Sequence, residues 1–519
     1  MTADTQDDVL AFLATPAAFG RSVGPVERID THISAVFLCG DRALKLKRAV
    51  RFPFLDFTTL ENRRAACEAE VRLNRRTAPT LYRGVRAVTR AEDGTLALDG
   101  PGTPVDWLVE MVRFDQDTLY DRLVVAEALD RRDMERLATA VARFHAEAEV
   151  ITDLGGRDGL ARTLGGVQDT FAQLPDALVD RPRVAELGEK ARAALAGVGD
   201  LLDARRAAGA VRHGHGDLHL GNICCLDGEP TPFDAIEFNR IFACVDVLYD
   251  TAFLVMDLDH RRHRRLANVL FNRYMDLAAL WFPAGADGLA LLPLFLSTRA
   301  SIRAHVHVSM SLGAATAAEA ERHRAESAAY LAAAIAYLDP PPPRLVAVGG
   351  LSGSGKSRMG RELAPFLGAA PGARVVRTDV IRKRLAGVDA TTRLDGAHYT
   401  AETTRRTYDT FLADAERALR AGQSVIADAV FARPHERQAM ADLAARLGVP
   451  FDGLWLEAPE AVRLDRVTRR TDNPSDADAA VALAQSKYDI GPMSWKRIDS
   501  SGPREATVKK GLACLGLKS

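Results

Sequence analysis

Cysteine is scarce in this chain. Its 519 residues hold six (Cys39, Cys67, Cys224, Cys225, Cys244, Cys514), with no CxxC pair and no Cys/His spacing suited to zinc. This argues against a disulfide framework and predicts reduced thiols in a cytoplasmic protein. Charge of one sign is lacking too: 68 Lys+Arg against 69 Asp+Glu leave a net charge of −1. Nucleic acid and anionic membranes are therefore not expected as main partners. Long hydrophobic runs are missing as well. The most apolar stretch, 277–297, is interrupted by Pro283, Asp287 and Pro293, so no lipid-spanning helix is expected. The first basic residue, Arg21, follows Asp4, Asp7 and Asp8, which predicts no secretory leader. The remaining composition, 47% hydrophobic and 26% charged, is that of a globular enzyme. The length suggests roughly two to four domains.

The sharpest break is Pro340-Pro341-Pro342-Pro343. Four prolines can neither continue a helix nor pair within a sheet, and they form a stiff spacer of about 12 Å. Before them, 314–338 is an alanine-rich helical stretch; after them, 345–349 is a short apolar run typical of a buried parallel strand. We therefore expect a domain over 1–338, a linker over 339–343 and a domain over 344–519. In the first, 35–39 and 43–47 flank a Gly40-Asp41 turn, a helical stretch spans 58–77, another apolar run spans 105–112, and the pattern beyond 118 is mostly helical. A small β-rich lobe followed by a larger helical lobe is predicted. In the second, apolar runs at 345–349, 374–377, 424–427 and 453–456 alternate with helical stretches, which predicts βαβ units and a parallel sheet.

Gly350-Leu351-Ser352-Gly353-Ser354-Gly355-Lys356-Ser357 opens the helical stretch after that first strand. Its glycines allow backbone N–H groups, including those of Ser352 and Ser354, to turn inward around a phosphate, and the following helix end adds a favourable dipole. Lys356 is expected to bridge the β- and γ-phosphates of ATP, and Ser357 to offer its hydroxyl to Mg²⁺. Asp379 ends the second strand, where a carboxylate can take the proton of a substrate hydroxyl. Asp428 ends the third, the place for a carboxylate on the metal side. Arg463, Arg466 and Arg470 share a helical face and are predicted to close over phosphate as a lid, with Arg466 in a catalytic role. With Arg382, these motifs resemble the small P-loop kinases typified by gluconate kinase, chloramphenicol phosphotransferase, zeta toxins and the polynucleotide 5′-kinase domain. The resemblance spans 344–519 and implies Asp379 as hydroxyl base and Arg382 as an acceptor contact.

In the first part, Asp217 and Asn222 lie five residues apart within His215-Gly216-Asp217-Leu218-His219-Leu220-Gly221-Asn222. Such spacing in a tight loop places a base beside a metal ligand, and Asp234, across the following hairpin, is placed as the second metal carboxylate. These motifs, with Asp246 and Asp250 in a D-x-x-x-D segment, resemble the aminoglycoside phosphotransferase/choline kinase branch of the protein-kinase-like fold. The resemblance implies Lys45 (or Lys47) as the lysine on ATP phosphate and Glu70 (or Glu68) as its partner. It further implies that Asp246 and Asp250 buttress the loops, and that Val109-Glu110-Met111 forms the segment binding adenine. The nucleotide-covering turn Thr31-His32-Ile33-Ser34 is not glycine-rich, so phosphate contacts there are expected to use side-chain hydroxyls or fewer backbone amides. Between Asp234 and Asp250 only 15 residues intervene, which leaves no platform for a peptide acceptor. The basic run 260–265 reads as a solvated helix face.

These features predict a protein-kinase-like bilobal α+β domain followed by a P-loop α/β domain. Each is expected to carry Mg-ATP and move a γ-phosphoryl group to a hydroxyl of a small molecule (a sugar, aminocyclitol or nucleoside). A nucleotide-sensing regulator and a nucleic-acid 5′-end kinase are the competing classes.

Overall fold

A computed structural model describes residues 6–20, 24–52, 54–283, 287–469 and 475–517. It divides into two compact units, one formed by 1–155 with 211–251, the other by 156–210 with 252–519.

The first unit is built on a six-stranded antiparallel sheet, in the order Glu27–Asp30, Ser34–Cys39, Arg42–Lys47, Thr103–Val112, Tyr82–Arg90, Leu96–Leu98. Its two faces are sorted by the two-residue period of the strands. Ala35, Phe37, Leu44 and Leu46 pack on one side with Val9, Leu13 and Phe19. Leu38, Ala43, Val109 and Met111 pack on the other against Cys67 and Val71 of the helix Leu60–Asn74. Lys45 and Lys47 follow Ala43 at intervals of two and so face that helix. Thr59 caps the helix by accepting from the Asn62 N–H at 3.1 Å. The unit also holds the antiparallel hairpin Ile223–Leu226/Glu229–Pro232 and the short pair Val211–His213/Cys244–Asp246.

The second unit joins long helices, among them Arg181–Ala207, Arg264–Trp281, Leu292–Leu312 and Ala317–Tyr337, to a five-stranded parallel sheet. Strand order is Arg374–Arg377, Val425–Asp428, Leu345–Gly349, Phe451–Glu457, Lys496–Asp499. The central strand Leu345–Gly349 is buried along its whole length, as its unbroken apolar run predicts.

The basic run 260–265 is solvated only in part: Arg262 and Arg265 are exposed, whereas His260, Arg261, His263 and Arg264 are half-buried. Arg264 donates to the Gly368 carbonyl at 2.8 Å, and the Arg265 guanidinium lies 5.3 Å from the Phe366 ring centre. The helix that begins there seals the edge strand of the parallel sheet. Asn272 Oδ1 accepts from the Val375 N–H at 2.7 Å, and the Asn268 and Asn272 amides both donate to the Ala373 carbonyl at 3.1 Å. Asp276 pairs with Arg374, and Arg273 pairs with Asp389 at 3.0 Å. Backbone groups that an edge strand leaves unpaired are thus met by asparagine side chains.

Candidate active sites

In the first unit, Glu70 sits on the face of its helix shared with Cys67, Val71 and Asn74, and it meets both lysines of the strand opposite. Lys45 Nζ lies 2.9 Å from Glu70 Oε1 and also reaches Asp234; Lys47 bridges Glu70 Oε2 and Glu237. The Lys45 side chain retains 13% exposure and that of Lys47 only 1%. Burial opposes the charged form of Lys45, yet the Asp234 and Glu70 carboxylates outweigh it and hold its pKa well above the ordinary lysine range. Glu68 is exposed and pairs with Arg64 at 2.9 Å, so Glu70 is the carboxylate that meets the lysines.

The loop after Val211–His213 is fastened from below by Asp250. That buried carboxylate accepts from the His215 N–H at 2.7 Å and the Gly216 N–H at 3.0 Å, and lies 3.2 Å from His145 Nε2. Asp246 instead caps its own helix, accepting from the Leu248 N–H at 2.8 Å. Beyond the loop, Asn222 Nδ2 donates to the Asp217 carbonyl at 2.9 Å and to its Oδ2 at 3.0 Å. The Phe233 N–H donates to the Asn222 carbonyl at 2.9 Å, which closes the hairpin and puts Asp234 one step along. Asp234 has a φ of 62°, a left-handed conformation rare outside glycine. It is held there from both sides: its N–H donates to the Tyr82 hydroxyl at 3.1 Å, and the Ala235 N–H to Asn74 Oδ1 at 2.7 Å.

One expectation for this unit is corrected. Glu110 and Met111 lie within the strand Thr103–Val112, paired on one side with Arg42–Lys47 and on the other with Tyr82–Arg90. Their backbone groups belong to the ladder, and the Glu110 carboxylate is held by Arg42, Arg83 and Arg86. In the turn over 31–34, the Thr31 hydroxyl accepts from the Ser34 N–H at 2.9 Å.

In the second unit, Gly350, Gly353 and Gly355 all have positive φ, at 147°, 87° and 92°. A Cβ on Gly353 would come within 2.4 Å of the Arg463 carbonyl, so only glycine lets the loop pass there. Lys356 and Ser357 open the helix Lys356–Leu363 behind it. Lys356 is buried, and among the described residues no carboxylate pairs with it. Asp428 stands beside the strand that enters the loop, in register with Val348. Its Oδ2 accepts from Arg377 Nε at 3.1 Å, while its buried Oδ1 has no hydrogen-bond partner among the described residues. Asp379 lies in the first turn of the helix Thr378–Leu385, half-buried. Arg382 donates to the His398 carbonyl at 2.9 Å and lies 4.8 Å from the Tyr399 ring centre.

The predicted lid is corrected in part. Arg466 donates to the Ser500 carbonyl at 2.8 Å and approaches the Gly353 carbonyl at 3.5 Å; buried Arg463 approaches the Ser352 carbonyl at 3.3 Å and donates to Ser486 Oγ at 2.6 Å. Both brace the loop through its carbonyls, because buried carbonyls next to a guanidinium take its donors before any ligand arrives. Arg470 lies outside the described residues. The Ser352 N–H donates to Gln485 Oε1 at 2.7 Å rather than facing an open cradle.

The donor sets fit magnesium, a hard cation that takes oxygen ligands. In the first site, Asn222 uses its amide nitrogen on Asp217 and so keeps its side-chain oxygen as an acceptor, and Asp234 adds a carboxylate. In the second, Asp428 Oδ1 is buried without a hydrogen-bond partner among the described residues, and Ser357 opens the helix after the glycine loop. Among the described residues no group of three His, Cys, Asp or Glu side chains is arranged to hold a metal, so phosphate and water oxygens would complete either shell. Sequence reasoning missed His145, Asn74 and Tyr82 in the first site, and Gln485 and the Arg377–Asp428 pair in the second. Only Asn74 carried a local signal, four residues after Glu70 on the same helix.

The N-terminal part joins an antiparallel sheet to helices in a mixed α+β fold, and the C-terminal parallel sheet with its glycine loop makes a P-loop fold. A family model described as an AAA domain matches residues 345–488. Over 490 residues, 92% of this chain, it is 30% identical to the uncharacterized protein Rv2004c of Mycobacterium tuberculosis, covering 93% of that protein, and equally to the uncharacterized protein Mb2027c of Mycobacterium bovis. The chain belongs to the same family as these mycobacterial proteins. Similar solved structures include the amicoumacin kinase hAmiN in complex with AMP-PNP, Ca²⁺ and Ami (14% identity, 64% of this chain, 94% of that one, TM-score 0.38). They also include a choline kinase from Cryptosporidium parvum (9%, 64%, 97%, 0.39) and a gluconokinase from Sinorhizobium meliloti (21%, 34%, 92%, 0.24). Among the described residues no helix is long and apolar enough to cross a membrane.

Proposed function

We propose that the protein is a cytoplasmic ATP-dependent phosphotransferase with two sites, one within 1–338 and one within 344–519, each acting on hydroxyls of small molecules. The observation that supports it most is the hydrogen-bonded Asp217–Asn222 pair, one ladder step from Asp234, whose carboxylate touches Lys45. Base, metal-side oxygens and phosphate lysine thereby fall within one loop and one strand. In each site the acceptor hydroxyl gives its proton to a carboxylate, Asp217 in the first and Asp379 in the second. Its oxygen bonds the γ-phosphorus as the bond from that phosphorus to the β-phosphate oxygen breaks, leaving ADP. Bound Mg²⁺, held by Asn222 and Asp234 or by Ser357 and Asp428, would neutralise phosphate charge. Lys45 and Lys356 orient the phosphates.

Incubating the full chain with γ-labelled ATP and a panel of sugars, aminocyclitols, nucleosides and oligonucleotides tests the proposal. Label transfer to a small alcohol, lost in Asp217→Asn or Asp379→Asn, is the expected result. A second reading, nucleotide binding without transfer at the C-terminal site, draws on the engagement of Arg466 and Ser352 within the protein. Binding of ATP there with no labelled product from any acceptor would favour it.

A further inference from the structure

Three polar atoms at the head of the parallel sheet are buried and lack a hydrogen-bond partner among the described residues: Asp428 Oδ1, Ser354 Oγ and Arg377 Nη2. The first suits a cation, and the second is a hydroxyl within the phosphate loop, free to rotate toward either role. Arg377 has no place in the chemistry above. It ends the edge strand Arg374–Arg377 in register with Asp428, which is itself in register with Val348, two residues before Gly350. All three strands therefore deliver these residues to the carboxyl end of the sheet, where open parallel sheets receive ligands. The Arg377 side chain is nine-tenths buried, and its Nε donates to Asp428 Oδ2 at 3.1 Å. A buried guanidinium with one edge paired and a terminal amine left over is costly unless an anionic oxygen meets it. The neighbouring arginines leave that role open. Arg463 and Arg466 are drawn to loop carbonyls, and Arg382 to the His398 carbonyl.

We infer that Arg377 is a catalytic residue of the second site, its Nη2 contacting the γ-phosphoryl oxygens of bound ATP while its Nε steadies Asp428. This rests on the kinase reading of that site. Transferring phosphoryl groups spread negative charge over their equatorial oxygens, and a donor already fixed beside them needs no reorganisation. Arg377 is fixed by its strand and by Asp428, in contrast to an arginine that must swing in from a lid.

Titrating the full chain with Mg–AMP-PNP and Mg–ADP isolates the contact, because only the first carries a γ-phosphoryl group. The relevant site is the one that Lys356→Ala removes. There, Arg377→Gln should weaken Mg–AMP-PNP by about tenfold or more while Mg–ADP stays within about twofold. Arg377→Lys, which keeps the charge and reaches Asp428 but lacks the fork, should recover part of the difference. Equal losses for both nucleotides would mean that Arg377 only supports Asp428, and that result, like no change in either, overturns the inference. Should Arg377→Gln fail to fold, the lysine variant decides alone: a loss selective for AMP-PNP supports the contact, and an unselective or absent loss refutes it. If Lys356→Ala removes no nucleotide site, the phosphate-loop reading itself fails, and the Arg377 assignment fails with it.

Discussion

Asn222 donates its side-chain amide to both the carbonyl and the carboxylate of Asp217, at 2.9 and 3.0 Å. An asparagine at 217 could still accept that bond, so Asp217→Asn should leave the loop in place and remove only the base. We expect phosphoryl transfer at the first site to fall by about 10²–10⁴-fold with nucleotide affinity nearly unchanged. Labelled-ATP turnover and calorimetry on the same preparation check both halves of this expectation. Undiminished turnover would take Asp217 out of the reaction.

The two lysines that share Glu70 should respond differently. Lys45→Ala removes the more accessible lysine beside Asp234 and is expected to weaken nucleotide binding at the first site while the unit stays folded. Lys47→Ala leaves Glu70 and Glu237 buried with less compensation, a loss of roughly 3–5 kcal/mol when one partner of a buried pair is deleted. Denaturant midpoints for both variants, together with nucleotide titration, separate the roles; a reversed ranking would exchange them.

Acid should loosen the same cluster. Burial disfavours the charged Glu70 carboxylate, yet Lys45 and Lys47 outweigh it and hold its pKa down at about 2. A carboxylate held below its unfolded value contributes stability that is complete above about pH 4.3 and is lost as pH falls toward the folded value. Wild-type stability should therefore decline between about pH 5 and pH 2. Glu70→Gln should begin lower and decline less over that range. Parallel curves for the two proteins would show that Glu70 does not carry this dependence.

Asp250 accepts two backbone N–H bonds at the start of the loop 214–222, and both donors are buried. Asp250→Ala should cost about 2–5 kcal/mol, since each donor left without a partner costs about 1–3 kcal/mol. Asp250→Asn keeps an acceptor and should cost clearly less. Urea midpoints decide the ranking.

A fragment beginning at residue 344 should behave poorly. Without the helix Arg264–Trp281, the strand Arg374–Arg377 loses its asparagine partners and becomes an open sheet edge. Asn272→Leu in the full chain should show the same weakness in milder form, as a lowered unfolding temperature. A monomeric, cooperatively folding 344–519 fragment would show the helix to be dispensable.

Much of both sites was legible beforehand where the chemistry lies along consecutive residues. The strand, glycine loop and helix at 345–363 appear as their spacing predicts, because backbone freedom and helix position are local properties. Asp217, Asn222 and Asp234 fall together for a similar reason, since one tight loop and one short hairpin connect them. The same local pattern favoured Lys45 but kept Lys47 as an alternative, because a two-residue period puts both on one face of a strand. It mistook Arg466 for a free lid residue, because helical spacing reports a shared face and says nothing of which carbonyls lie beyond it.

By itself, then, the sequence determined the glycine loop between strand and helix, the tight loop that joins Asp217 to Asn222, the mixed α+β and α/β classes, and the alternation of strands and helices after residue 344. Tertiary structure alone decided that Glu70 rather than Glu68 meets the lysines, that Asp250 fastens the loop, that Arg377 pairs with Asp428, and that asparagines from 268 and 272 close a sheet edge more than 100 residues away. These are contacts between residues distant in the chain. They depend on which faces pack and which polar groups are buried together, and no local spacing encodes that.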